Sequence, residues 1–217
     1  MYARADRIVR HPDLIEELRE AGLAYLTICV ESFREDDLSE LNKRTSVEMN
    51  NEAIRILRRL EIGNSAHFIV DPDYEEADFR QLFRYVCKSE LYQPVFAVLT
   101  PLPGTDLYDR THDRLAIKDY SGFDFGHSVL PTRLDRKEFY RLFVELYVKT
   151  YSFRRYFRSR FAELLSGLKR SGDLLPGRVD RLSLFKLCIV HLVGIPLAFK
   201  VRRLHWSEPL VQKAPLS

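Results

Sequence analysis

The chain has 217 residues, 46% hydrophobic and 30% charged, a composition that suits a globular protein able to bury a core. A net charge of +3 is too small to argue for a nucleic-acid partner, and none is expected. The three cysteines, Cys29, Cys87 and Cys188, lie far apart with no CxxC or CxxxCxxC spacing, so no zinc or iron–sulfur ligand set is evident.

Each cysteine follows an apolar residue, the pattern of buried free thiols in a reducing compartment. The opening Met-Tyr-Ala-Arg-Ala-Asp has no signal-peptide character, so a cytoplasmic location is expected. Tyr2 to Asp6 is short and ends in polar residues. The first helix starts at His11-Pro12, with Pro12 at its first position and Asp13 near its N-terminus; Leu14, Ile15 and Leu18 form its apolar face and Gly22 ends it. Residues 23–30 (LAYLTICV) read as a strand buried on both faces, as in a parallel sheet, with Glu31 and Ser32 at its C-terminal end. Thr45 and Glu48 form a capping box for a second helix with Ala53, Ile56, Leu57 and Leu60 on one face and Gly63 at its end.

Residues 66–70 (AHFIV) are the next buried strand, closed by Asp71-Pro72-Asp73, and place His67 as a core histidine. A third helix carries Phe79, Leu82, Phe83 and Val86 at helical spacing, and residues 94–99 (PVFAVL) form another strand. That strand must stop at Pro101 and Pro103, which have no N–H for a sheet ladder, and Gly104 permits a tight turn. Amphipathic helices alternating with short buried strands predict an α/β fold with a parallel sheet. In such sheets ligands sit at the C-terminal strand ends.

Residues 106–132 have mixed polarity and read as an ordered loop; within it Phe123-Asp124-Phe125-Gly126-His127 either lines a site or is structural. Residues 135–169 are a long helical region with Phe139, Leu142, Phe143 and Leu146 on its first apolar face, and its later part is dense in Arg and aromatics. Residues 182–199 are the most apolar stretch, but Lys186, His191 and Pro196 interrupt it, and it falls short of a membrane span. Residues 133–217 hold 18 Lys and Arg against 7 Asp and Glu, leaving 16 against 24 in residues 1–132. The basic back half is either a solvated helix face or a surface for phosphates or the inner face of a membrane. These shifts predict two parts, 1–132 and a helical, basic extension, 133–217.

Read together, Tyr-Ala-Arg-Ala-Asp at 2–6, Val-Glu-Ser at 30–32, Leu-Asn-Lys-Arg-Thr at 41–45, Phe-Ile-Val-Asp-Pro at 68–72 and Leu-Thr-Pro-Leu-Pro-Gly-Thr at 99–105 resemble the second half of a radical S-adenosylmethionine enzyme. More narrowly, the chain looks like the cobalamin-dependent class that includes hopanoid C-3 methylases, over roughly residues 1–150. The resemblance implies a partial parallel (β/α) barrel in which this chain begins near the end of the third strand. It implies S-adenosylmethionine, a 4Fe-4S cluster held by a CxxxCxxC loop, and a cobalamin domain. Neither the cluster loop nor the cobalamin domain is encoded here.

The resemblance further implies a fragment or one half of a split enzyme, inactive alone and acting with an N-terminal half on a hopanoid-like or other lipid substrate. A non-catalytic binding or assembly module is the alternative. By the same resemblance Glu31 meets the ribose hydroxyls or amino group of S-adenosylmethionine, Lys43 or Arg44 its carboxylate, Arg4 the neighbouring rim, and Leu99 and Thr100 offer backbone groups to the adenine. A surface ion pair between Glu31 and Lys43, with solvated Arg4 and Arg44, is the plain alternative.

Overall fold

In the computed structural model, residues 1–41, 45–89, 91 and 93–151 are described. The order is β1 (Tyr2–Arg4), α1 (Ala5–Arg10), α2 (Pro12–Glu20), β2 (Tyr25–Glu31), α3 (Glu35–Glu40), α4 (Val47–Arg59), β3 (Gly63–Val70), α5 (Glu76–Lys88), β4 (Gln93–Val98), α6 (Asp106–Thr111) and α7 (Arg136–Thr150), with 3-10 turns at His112–Arg114 and Tyr120–Gly122. The strands form one sheet in the order β1-β2-β3-β4, each pair parallel. The fold is α/β, as the alternation predicts, and all four C-terminal ends share one edge.

Local chemistry sets most boundaries. Pro12 begins α2, and Gly22, at φ +105°, closes it; Leu23 N donates to Leu18 O and Gly22 N to Arg19 O, a Schellman ending. Leu14 is exposed, so the apolar face of α2 is narrower than expected and rests on Ile15. The capping box is corrected by one residue: Ser46, not Thr45, caps α4 and accepts from Met49 N at 3.1 Å, while Glu48 pairs with Arg55. The helix also ends before Gly63, in a second Schellman pattern with Glu61 at φ +55° and Ile62 N donating to Leu57 O. Gly63 instead opens β3. Helices α1, α3 and α6 were not expected; each is six residues long, too short to show an apolar period.

The sheet buries one face, not two. Leu26, Ile28 and Val30 of β2, Ala66, Phe68 and Val70 of β3, and Phe96 and Val98 of β4 are buried on the helix side. There Phe68 stacks with Phe96 at 5.9 Å and meets Tyr85 of α5 edge-on, and Asn50 of α4 bonds Val30 O. The alternate positions, Tyr2 and Arg4, Cys29, His67 and Ile69, Val95 and Ala97, are half-buried or exposed. Thr27 and Ser65 on that side are buried and bond each other at 3.2 Å. The continuous apolar lettering of residues 23–30 hid this, because Thr and Cys pass for core residues in a string. His67 is accordingly not a core histidine.

Residues Met1–Phe139 form one compact unit and Tyr140–Ser217 another, divided within α7. On α7, Phe139, Leu142, Phe143 and Leu146 are all buried, as their spacing predicts. The rest of the predicted helical region and the apolar stretch 182–199 lie outside the described residues. No helix among the described residues is long and apolar enough to cross a membrane.

Candidate functional site

The shared strand edge collects Arg4, Glu31, Asp71, Leu99 and Thr100. Its most unusual backbone is at the end of β2. Glu31 has φ +67°, and Ser32 N donates to Val30 O at 2.9 Å across it. This is a three-residue γ-turn of the rarer, strained sense. The pairing register jumps there, from Cys29 opposite His67 to Glu31 opposite Phe68. A non-glycine residue in the left-handed region is uncommon, and such strain clusters where side chains are aimed for function.

A polar network holds the chain immediately after this turn. The Arg34 guanidinium donates to Asp37 Oδ1 from Nε (2.9 Å) and Nη2 (2.7 Å), and from Nη1 to Asp78 of α5 at 2.8 Å. The Ser32 hydroxyl donates to Asp37 Oδ2 at 2.6 Å and accepts from Arg34 N at 3.1 Å. The Tyr74 hydroxyl reaches the same Asp37 oxygen at 3.4 Å, and Arg34 lies over the Tyr74 ring at 5.0 Å. Burial disfavours the guanidinium charge, but the bond and charge of Asp37, with Tyr74 and Asp78, outweigh it and raise Arg34 above its ordinary pKa. Burial, reinforced by Asp37, pushes the Tyr74 phenol well up, so it remains a neutral donor. From the helix side, Asn50 Nδ2 donates to Val30 O at 2.9 Å from a fully buried position.

The other strand ends are relaxed. After β3, Asp71 accepts from Asp73 N at 2.7 Å in a local side-chain turn. After β4, Leu99 N continues the ladder to Val70 O at 2.9 Å, and the Thr100 hydroxyl turns back on Val98 O at 2.9 Å. Thr105 N then closes on Leu102 O with Pro103 second and Gly104, at φ +83°, third. Those are the requirements of a type II turn. Thr105 caps α6, accepting from Tyr108 N.

The outer edge of β4 meets the 123–127 loop, where Phe125 O accepts from Val98 N at 2.7 Å. Asp124 ties that loop, accepting from Gly126 N, His127 N and His127 Nδ1 at 2.8–2.9 Å. Burial raises the Asp124 pKa, but these bonds outweigh it and hold the carboxyl below its ordinary value.

Glu31, Arg4, Leu99 and Thr100 thus occupy the ends of β2, β1 and β4. Arg4 Nε donates to Asp6 at 2.9 Å. Of the Leu99 and Thr100 polar groups, the Leu99 N–H and the Thr100 hydroxyl already serve the strand itself. Lys43 and Arg44 lie outside the described residues. His67 stands on the half-open face, edge-on to Tyr2 at 6.0 Å. Burial lowers its pKa, opposed by the Glu31 charge.

The sequence reading missed Arg34, Asp37, Asp78 and Asn50. Asn50 left a signal, since it falls on the apolar face of α4 with Ala53 and Leu57, where a polar residue needs a partner. Arg34, followed by Glu35, Asp36 and Asp37, reads as a solvated charge run. Its partner Asp78 is 44 residues away.

Among the described residues no group of His, Cys, Asp or Glu is arranged to hold a metal ion. The three cysteines of the chain cannot form the three-thiolate loop of a cluster site by their spacing. The donor set therefore does not fit an iron–sulfur cluster.

No protein-family model matches the chain. Curated proteins do. The chain is 33% identical over 140 residues to hopanoid C-3 methylase of Methylococcus capsulatus, a stretch covering 64% of this chain and 27% of that protein. It is 31% identical over 137 residues to anaerobic magnesium-protoporphyrin IX monomethyl ester cyclase of Cereibacter sphaeroides, covering 62% of this chain and 22% of the relative. It is 27% identical over 146 residues to bacteriochlorophyllide d C-12(1)-methyltransferase of Chlorobaculum tepidum, covering 66% of this chain and 32% of the relative. The chain thus spans about a third or less of the length of these relatives.

Proposed function

We propose that this chain, a relative of radical S-adenosylmethionine enzymes, forms the second half of their barrel and of the S-adenosylmethionine site. The observation that carries this reading is the strained turn at Glu31, which lies at the same sheet edge as Arg4, Leu99 and Thr100. A carboxylate there can accept hydrogen bonds from ribose hydroxyls or the ligand's amino group. Arg4 sits one strand away, and Lys43 or Arg44 would meet the ligand's carboxylate. Leu99 and Thr100 would offer main-chain groups to the adenine. S-adenosylmethionine, when bound, supplies the radical chemistry that the resemblance implies.

The residues of this chain do not suit the cluster, so its thiolates come from an N-terminal half, together with the cobalamin domain. The reaction proposed for the assembled enzyme is methylation of a hopanoid-like or other lipid substrate. Hopanoid C-3 methylase carries a hopanoid in its name. The half alone is inactive. The basic 133–217 extension would serve contact with a membrane surface that stores such a lipid.

Saturation-transfer NMR of the chain with S-adenosylmethionine tests the site, because it detects the weak binding expected of half a site. Ribose and adenine protons should receive saturation from the parent chain and lose it in Glu31→Ala. Absence of transfer in the parent sinks the reading. Anaerobic reconstitution with iron and sulfide tests the missing cluster, and a stable 4Fe-4S spectrum on this chain alone would overturn that part.

A second reading, an assembly module without chemistry, draws on β1. It is a three-residue strand at the sheet margin, paired with β2 on one side. Short margins of this kind accept a further strand from a partner. Light scattering decides whether the chain self-associates; a clean monomer counts against this module.

A further inference from the structure

The turn at Glu31 leads directly into a hydrogen-bonded network of Ser32, Arg34 and Asp37. Arg34 is the centre. Its fork fixes Asp37, Asp37 fixes the Ser32 hydroxyl, and Ser32 is the residue whose N–H closes the turn over Glu31. Its third bond anchors the whole loop to Asp78 on α5. Asp37 and Asp78 are each 18% exposed and Arg34 36%, so the bonds are screened only in part. If the turn served chain reversal alone, glycine would fill it without cost. The clamp instead keeps a carboxylate-bearing residue in a conformation it resists.

We infer that Arg34 is a positioning residue, which through Asp37 and Ser32 imposes the strained backbone that aims the Glu31 carboxylate. Its relevance to ligand contact rests on the S-adenosylmethionine reading above. The imposed geometry does not. Arg34 touches no ligand in this scheme. Lysine cannot replace it, because the arrangement uses a planar fork on one carboxylate and a third nitrogen on another.

A double-mutant cycle in the full chain tests this by thermal unfolding. Glu31→Gly should raise Tm by about 2–4 °C in the parent, since glycine adopts φ +67° freely. In an Arg34→Gln background the turn relaxes, and the gain from Glu31→Gly should disappear. Arg34→Lys should behave like Arg34→Gln. Asp78→Asn, which loosens only the α5 anchor, is the milder second arm and should keep part of the gain. A role confined to tying loops together would lower Tm in every Arg34 variant yet leave the Glu31→Gly gain intact; such additivity overturns the inference. So does the absence of any gain in the parent. The S-adenosylmethionine signal is read on the same variants. Coupled melting shifts without nucleoside contact in the parent leave the clamp standing and sink the cofactor reading, so the two failures are separable.

Discussion

The ends of β2 and β4 do the same topological job by opposite means. After β4 the chain reverses through Pro103-Gly104, residues whose own preferences match the turn, and Thr105 caps the helix that follows. After β2 it reverses through Glu31, whose preferences oppose the turn, and a surrounding set of Arg34, Asp37, Ser32 and Asn50 holds it there. The β4 turn is specified locally and the β2 turn from a distance. A turn that needs outside support keeps its residue for the side chain it carries, and here that side chain is a carboxylate at the edge formed by the C-terminal strand ends.

Breaking the support should cost most. Asn50 has no exposed surface, and its amide is the buried bond to Val30 O. Asn50→Ala removes that donor and leaves a small void, an expected loss of about 2–3 kcal/mol. Urea unfolding measures it, and a loss near zero would show that the β2 end is held without α4.

The β4 turn should respond to a local change. Gly104 sits at φ +83° with nothing near its Cα on the side where a Cβ would be built. Gly104→Ala therefore meets only the backbone penalty, about 1 kcal/mol. The sign is opposite to that expected for Glu31→Gly, though both exchanges concern a left-handed residue at a strand end. If both substitutions moved stability in the same direction, the contrast between the two turns would fail.

The contrast also explains what could be read from the letters. The stop of β4 and its turn were legible, since Pro and Gly state their conformations, whereas Thr105 as the cap of α6 was not. The parallel pairing of β2, β3 and β4 was legible from alternating helices and strands, and the resemblance marked the start of the chain as the end of a further strand. Glu31 was nominated as an acidic residue outside a core pattern, but its strain was invisible. Its causes lie at Arg34, Asp37 and Asn50, and the outer anchor at Asp78 is 44 residues from Arg34. The half-open sheet face escaped for a different reason. Thr27, Cys29 and Ser65 are small enough to sit in an apolar string without breaking it, so period-two alternation was masked.

The β1 end extends the comparison with a smaller effect. Asp6 is buried, and its carboxylate accepts from Arg4 Nε at 2.9 Å. Burial alone raises its pKa, but the Arg4 bond and the charges of Arg4, Arg7 and Arg10 outweigh it and hold the value below the ordinary range. A carboxyl whose folded value is depressed adds stability above its unfolded value and loses it as pH falls through the folded one. The Arg4 side chain is 55% exposed, so solvent screens the pair. Asp6→Asn should therefore cost only about 1 kcal/mol or less at neutral pH. The difference from the parent should stay constant down to about pH 5 and shrink below about pH 4. Unfolding curves across that range check it. A deficit that persisted at pH 3 would assign Asp6 a packing role instead and free Arg4 from the pairing, making β1, like β2, an end whose charged residue is kept for something other than its fold.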